Sequence, residues 1–246
     1  MAELIYGFHP VREGLRGRRT PLELFVDEKL KKDKFDELET LAVNRHVPIR
    51  RRRREDLNRL VGNVHNQGVV LSLEPFHYTD FDDVLASCRQ SGQDALFIVL
   101  DGITDPHNLG AILRNADAAG CTAVILPKDR NCRINSVVDR ASAGAVEHLR
   151  ICQVTNLVRT LKQLQDFGAW VYGLASNQEG QNLYNADLKG HVALVVGNEG
   201  SGLRLRTRQQ CDLLMSIPMA GEVASLNASC ATAIALFEII RQRFAK

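Results

Sequence analysis

The segment Gly197-Asn198-Glu199-Gly200-Ser201-Gly202 sets one carboxylate among three glycines, directly after the apolar run Leu194-Val195-Val196. The run reads as a buried strand, and the glycines let backbone come close to a ligand. Glu199 works against the anion cradle that such N–H-rich loops usually make. The spacing G-x-x-G-x-G is not that of a dinucleotide fingerprint, and no G-x-x-x-x-G-K-[ST] occurs in the chain. A ligand without phosphates, a cationic one in particular, fits this loop. The plainer alternative is a tight turn with one exposed acid.

Two further segments carry polar groups in the same way. Asp101-Gly102-Ile103-Thr104-Asp105-Pro106-His107-Asn108-Leu109-Gly110 leaves an apolar run through a Pro-containing turn, with Asn108 where a helix N-cap is expected. At helical spacing Leu109, Ile112, Leu113, Ala116 and Ala119 share one face, and Arg114 points away from it between Ala111 and Ala118. A long cation rising from alanines can reach a ligand or another subunit, although a solvated surface arginine is the commoner fate. In Ile217-Pro218-Met219-Ala220-Gly221-Glu222-Val223-Ala224-Ser225-Leu226-Asn227-Ala228-Ser229 a strand ends at proline, and Ser225 or Asn227 can cap the last helix. Taken singly, each capping residue reads as structural. All three segments nevertheless follow predicted strands, and open α/β sheets bind ligands at the carboxyl ends of their strands.

The elements that must position these groups follow from periodicity. From Ala95 onward, strands are expected at Leu96–Leu100, Thr122–Leu126, Trp170–Leu174, His191–Val196 and Leu213–Ile217. Helices are expected at Leu109–Ala119, Asn156–Phe167 and Leu226–Arg243. Near-continuous apolar strands alternating with helices imply an α/β fold, a parallel sheet with helices on both faces. Residues 1–74 read as a separate small α/β domain, with strands at Leu22–Val26 and Gly68–Leu73 and a helix at Phe35–Arg45. Residues 75–93 read as a linker holding one short helix, and residues 94–246 as the second domain.

Charge is unevenly spread. Residues 1–75 carry a balance of +3 and the remainder −1. The excess gathers at Arg50-Arg51-Arg52-Arg53-Arg54, backed by Lys29, Lys31, Lys32 and Lys34. Five adjacent guanidinium groups repel one another, and a polyanion such as RNA would relieve that; a solvated charge run is the plainer reading. Apolar residues make up 45% and charged residues 24%, which is ordinary for a globular protein. No apolar run approaches the ~20 residues of a membrane span, and the chain does not start as a signal peptide does. The six cysteines form no C-x-x-C pair and the seven histidines are dispersed, so reduced thiols in a cytoplasmic protein without a metal site are expected.

Together, D-P-x-N-x-G-x-x-x-R, G-x-E-G-x-G and I-P-M followed by S-L-N-x-S resemble, in order and spacing over residues 101–229, the TrmH (SpoU) family of the SPOUT superfamily. Its members are S-adenosylmethionine-dependent RNA ribose 2′-O-methyltransferases. The resemblance implies a C-terminal deep trefoil knot, a homodimer, and a ribosomal-protein-like N-terminal domain that binds RNA. Over the whole chain it is to the branch that methylates a guanosine of 23S ribosomal RNA. It implies cofactor contacts at Gly197, Ile217 and Leu226 with Met219 nearby, and catalytic-motif positions at Asn108, Arg114, Glu199, Ser225 and Asn227. No metal is implied. Arginine, with an ordinary pKa above about 12, is a poor base, so Arg114 is expected to grip phosphate and favour an alkoxide electrostatically. A tRNA ribose methyltransferase, a non-catalytic RNA-binding module and a nicotinamide oxidoreductase are the alternatives; the last lacks the glycine fingerprint.

Overall fold

The computed structural model describes residues 2–62, 64–175, 180–223 and 225–244, so Ala224 of the third polar segment lies outside the described residues. The first half of the chain forms β1 (Glu3–Tyr6), α1 (Phe8–Arg16), β2 (Pro21–Asp27), α2 (Lys32–Asn44), β3 (Ile49–Arg52), α3 (Arg54–Val61), β4 (Val69–Leu73), α4 (Phe81–Ser91), β5 (Leu96–Asp101), α5 (Pro106–Ala118) and β6 (Ala123–Pro127). There follow α6 (Ser136–Ala141), β7 (Ile151–Val154), α7 (Leu157–Phe167), β8 (Trp170–Leu174), β9 (Gln181–Asn182), β10 (Val192–Gly197), α8 (Leu205–Gln210), β11 (Leu213–Ser216) and α9 (Ala228–Phe244). The chain divides into two compact units, Met1–His77 with Ile134–His148, and Tyr78–Arg133 with Leu149–Lys246.

The first unit has a four-stranded sheet in the order β1-β4-β2-β3, in which only the β2–β3 pair is parallel. Ile5, Val11, Leu15, Leu24, Leu38 and Leu71 form its core. The arginine run is partly an element: Arg50–Arg52 lie in β3, at the sheet edge. Arginine has little intrinsic preference for strands, so pairing with β2 makes this strand rather than local propensity. Its charges also discourage pairing with another chain. Arg50 Nε donates to Glu23 Oε1 at 2.8 Å, and the Arg51 guanidinium lies 4.3 Å from the centroid of Phe35. All five arginines are exposed.

Residues 134–148 belong to this unit although they fall between β6 and β7 in sequence. Arg19 joins them to it. Its Nε donates to Glu147 Oε1 at 2.8 Å, Nη2 to Asp139 Oδ1 at 3.0 Å, and Nη1 to Glu3 Oε2 at 3.0 Å. One guanidinium thus serves three carboxylates. Asp139 Oδ2 and Glu147 Oε2 are buried without a partner.

In the second unit seven strands run in the order β7-β6-β5-β10-β8-β11-β9, and every pairing is parallel. Every residue of β5 and β10 is buried, as strands covered on both faces must be. The segment expected to be a linker behaves differently. Asp80 caps α4 by accepting from Asp82 N and Asp83 N, and Phe81, Val84, Leu85 and Cys88 enter one core with Phe97, Val99 and Ile125. Four apolar residues at helical spacing give 81–91 the burial of a core helix. On α5, Leu109, Ile112, Leu113 and Ala116 are fully buried, as their shared face requires.

Burial pushes the Asp139 carboxyl up to about 7, only partly opposed by Arg19. A carboxyl whose folded pKa is raised favours the fold at low pH, and this contribution is lost as pH rises from about 4 through about 7. Asp139→Asn should therefore gain stability relative to the wild type, by on the order of 1 kcal/mol, between pH 6 and 8. Denaturant melts of both proteins across that range check this; a difference independent of pH would contradict it.

Candidate active site

The three polar segments meet beyond the carboxyl ends of β5, β10 and β11 of the second unit's sheet. Gly197 ends β10, and the loop beyond it folds back on itself: Asn198 N donates to Gly202 O at 3.1 Å, and Gly202 N to Asn198 O at 2.8 Å. A Cβ on Gly197 would lie within 2.5 Å of Gly202 O and Leu203 N. Its lack of a side chain is thus required by the loop's own backbone, before any ligand is considered. Gly202 takes φ +64°, a left-handed conformation that favours glycine. The Asn198 side chain braces the turn, accepting from Gly200 N at 2.9 Å and donating to Gly102 O at 2.9 Å. Buried Asp101 holds the loop's far end, accepting from Arg204 N at 2.9 Å.

This closure presents Glu199 to two amides from distant parts of the sequence. Asn108 Nδ2 donates to Glu199 Oε1, and Asn227 Nδ2 donates to the same oxygen at 2.8 Å and to Asn108 Oδ1 at 2.9 Å. Asn108 can do this because it is not the helix cap expected from sequence. Asp105 caps α5 by accepting from Asn108 N at 3.0 Å, with Pro106 at the first helical position. Asn227 has two roles: its Oδ1 also caps α9 by accepting from Ser229 N at 2.9 Å and Cys230 N at 3.3 Å.

Beside this triad is a cavity of about 370 Å³. Gly197, Ile217, Met219 and Leu226 line it, together with Glu199, Ser225 and, from β8, Leu174. All four positions expected to touch a cofactor therefore share one wall system. Asn108, Asn227 and Arg114 are not among the lining residues. Arg114 is exposed on α5, away from that helix's buried face. Among the described residues no group of three or more His, Cys, Asp or Glu could hold a metal ion, and no helix is long and apolar enough to cross a membrane.

Asn198, Asp101 and Arg208 of the site escaped sequence reasoning. The G-N-x-G pattern could have signalled Asn198, because asparagine closes turns onto backbone two residues ahead. From sequence alone, Asp101 marks only the start of a turn. Arg208, which lines the cavity from α8, lies outside all three motifs, and nothing local marks it.

Residues 95–237 match the model of the SpoU rRNA Methylase family, and residues 4–79 match that described as RNA 2′-O ribose methyltransferase substrate binding. The chain belongs to the SpoU rRNA methylase family. A relative in this family, the 23S rRNA (guanosine-2′-O-)-methyltransferase RlmB of Pseudomonas putida, is 42% identical, with 99% of this chain and 98% of that protein covered. RlmB of Escherichia coli is 40% identical, with 99% and 100% covered. The solved SpoU methyltransferase AviRb from Streptomyces viridochromogenes, in complex with AdoMet, shares the fold with a TM-score of 0.81 at 24% identity, over 99% of this chain and 91% of that one. The SpoU match spans all three polar segments, so the cavity and its triad lie inside the family's shared region.

The crowding at Gly197 makes a direct prediction. Gly197→Ala forces the loop open, at a cost of roughly 1–3 kcal/mol, and should lower the melting temperature by several degrees while weakening S-adenosylhomocysteine binding. Calorimetry that finds both unchanged would show that the loop tolerates the methyl group.

Proposed function

We propose that the protein transfers a methyl group from S-adenosylmethionine to the ribose 2′-hydroxyl of a guanosine in 23S ribosomal RNA. The observation that carries this reading is the cavity lined by two family motifs and tied through Glu199 and Asn227 to Asn108 of the third, in a chain about 40% identical to RlmB proteins over nearly its whole length. The cavity suits the donor: its walls are apolar side chains and loop backbone, with the Glu199 carboxylate where a positive centre is welcome and a phosphate is not.

S-adenosylmethionine supplies a methyl group on a positively charged sulfur, which an aligned hydroxyl can take. Gly197, Ile217, Met219 and Leu226 hold the donor, and Ser225, on the same wall, faces the shared space. Glu199, Asn108 and Asn227 act as one hydrogen-bonded unit that fixes the loop against α5 and α9. Arg114 binds the RNA phosphate and stabilises negative charge developing on the 2′-oxygen, leaving the proton to solvent or phosphate. Alignment supplies much of the acceleration, up to ~7–11 kcal/mol in well-oriented systems.

The reading assigns residues 1–74 to RNA binding through Arg50, Arg51, Arg52, Arg53 and Arg54, and residues 94–246 to chemistry, apart from 134–148, which pack with the first unit, and with α4 of the 75–93 segment in the second unit's core. The family matches to residues 4–79 and 95–237 support this. It includes a cytoplasmic location and the trefoil knot, which is supported by a sheet order that places β10 between β5 and β8. It also includes a homodimer. Arg114 is turned away from its own sheet, between Ala111 and the exposed Ala118, which supports the proposal that it completes the cavity of a second copy.

Incubating the protein with unmodified 23S ribosomal RNA and S-adenosylmethionine, then mapping ribose methylation, should show one modified guanosine. Transfer RNA methylated in preference would overturn the substrate. The shared site is tested by mixing. Arg114→Ala and Glu199→Ala homodimers should each be nearly inactive, while mixed dimers recover up to half of wild-type activity, because both lesions fall in one pocket. Persistent inactivity with heterodimers confirmed by mass spectrometry would refute it.

A further inference from the structure

We propose that Arg51, laid over the ring of Phe35, is a stacking platform for an unpaired RNA base, a task that Arg50 beside it does not share. This rests on the RNA-binding role given above to residues 1–74 and names the part of the RNA that one residue recognises. Successive side chains of a strand point to opposite faces, and the register of β3 against β2 shows which. Arg51 lies beside Val26, whose core also holds Leu38 of α2. Arg50 lies beside Phe25, which packs with Leu57 of α3. The run is therefore split between an α2 face and an α3 face.

The two faces use their arginines differently. On the α3 face Arg50 Nε donates to Glu23 Oε1 at 2.8 Å, so that guanidinium is already shared with a carboxylate. On the α2 face the Arg51 guanidinium carbon sits over the Phe35 ring, 4.3 Å from its centroid, and among the described residues it makes no ion pair. A planar group over a ring offers its second flat side outward. Arg51 is exposed and β3 is an edge strand, so that side is open to a ligand. Guanidinium planes stack on aromatic rings and on nucleobases alike.

The charge nearby favours a base over a phosphate as the occupant. Exposed Asp33 and Asp36, within two residues of Phe35 on α2, offset exposed Lys31 and Lys32. Simple attraction for phosphate is thus weaker on this face than five arginines in a row suggest, and what Arg51 adds is a flat, oriented surface. The ring holds that surface in place before RNA arrives, so little freedom is lost on binding. Bases within an A-form duplex are stacked on one another and closed to such a platform, so the partner is a single strand or a loop.

The test measures, by fluorescence anisotropy over a salt series, the full chain's affinity for a single-stranded oligoadenosine RNA and for an abasic ribose–phosphate strand of the same length and charge. The wild type should prefer the base-bearing strand by roughly five- to tenfold. Arg51→Lys keeps the charge and loses the plane, so it should lose that preference while its salt slope and its affinity for the abasic strand stay as in the wild type. Phe35→Leu, which removes the supporting ring, should do the same. Thermal melts establish that the variants fold; if Phe35→Leu does not, Arg51→Lys decides. A wild type indifferent to the bases overturns the inference alone, as does a variant that keeps the preference or that weakens both strands equally, the mark of a plain phosphate contact. If neither strand binds, a 23S ribosomal RNA transcript separates the cases: binding of the transcript overturns the inference alone, and its failure to bind overturns the functional reading as well.

Discussion

The site depends on the approach of two backbones, at Gly197 and Gly202. With no side chain at Gly197, Asn198 and Gly202 can exchange both their backbone hydrogen bonds, and the loop closes within five residues of the strand that feeds it. Everything chemical follows from that closure. It turns Glu199 toward α5 and α9 and leaves room for a cavity lined also by Leu174 of β8 and Arg208 of α8. The penalty for an ordinary residue at 197 would be steric and local, yet it would move an acid, a cavity wall and a helix together.

Glu199, Asn108 and Asn227 show how a polar group can be both structural and functional. Asn227 spends its oxygen on capping α9 and its nitrogen on the other two side chains. The cap fixes the orientation of the amide, so its N–H groups point at Glu199 of the loop and Asn108 of α5. Because Asp105 caps α5, Asn108 is released from that duty. Three segments separated by up to 119 residues are thereby joined through side chains rather than through the sheet. Two neutral amides, rather than a cation, share Glu199 Oε1. That is the electrostatic setting a sulfonium needs.

Sequence reasoning reached the second unit's architecture because its central strands are unbroken apolar runs and α5 repeats its buried face cleanly. β5, β8 and β10 appear within a residue or so of where periodicity puts them. It missed β1, α1, β3 and α3 in the first unit, where short elements owe their form to tertiary pairing. β3 is the clearest instance, since an arginine run carries no local preference for a strand. It also could not see that 134–148 packs with the first unit, because contacts between residues 128 apart, as at Arg19 and Glu147, leave no periodic trace. In the site, the family resemblance marked Asn108, Glu199 and Asn227, and the structure explains why those types are needed. Asn108 was assigned the wrong local task because Asp105, three residues earlier, is an equally good cap.

The central claim is that the cavity walled by the Gly197 loop and residues 217–226 is where the methyl donor binds. A crystal structure with S-adenosylhomocysteine tests it most directly. The account predicts the ligand against Gly197, Ile217, Met219 and Leu226, with its sulfur toward the Glu199 side and the loop closed as described. Density for the ligand elsewhere on the protein, or in this cavity with the loop opened between Asn198 and Gly202, would contradict it.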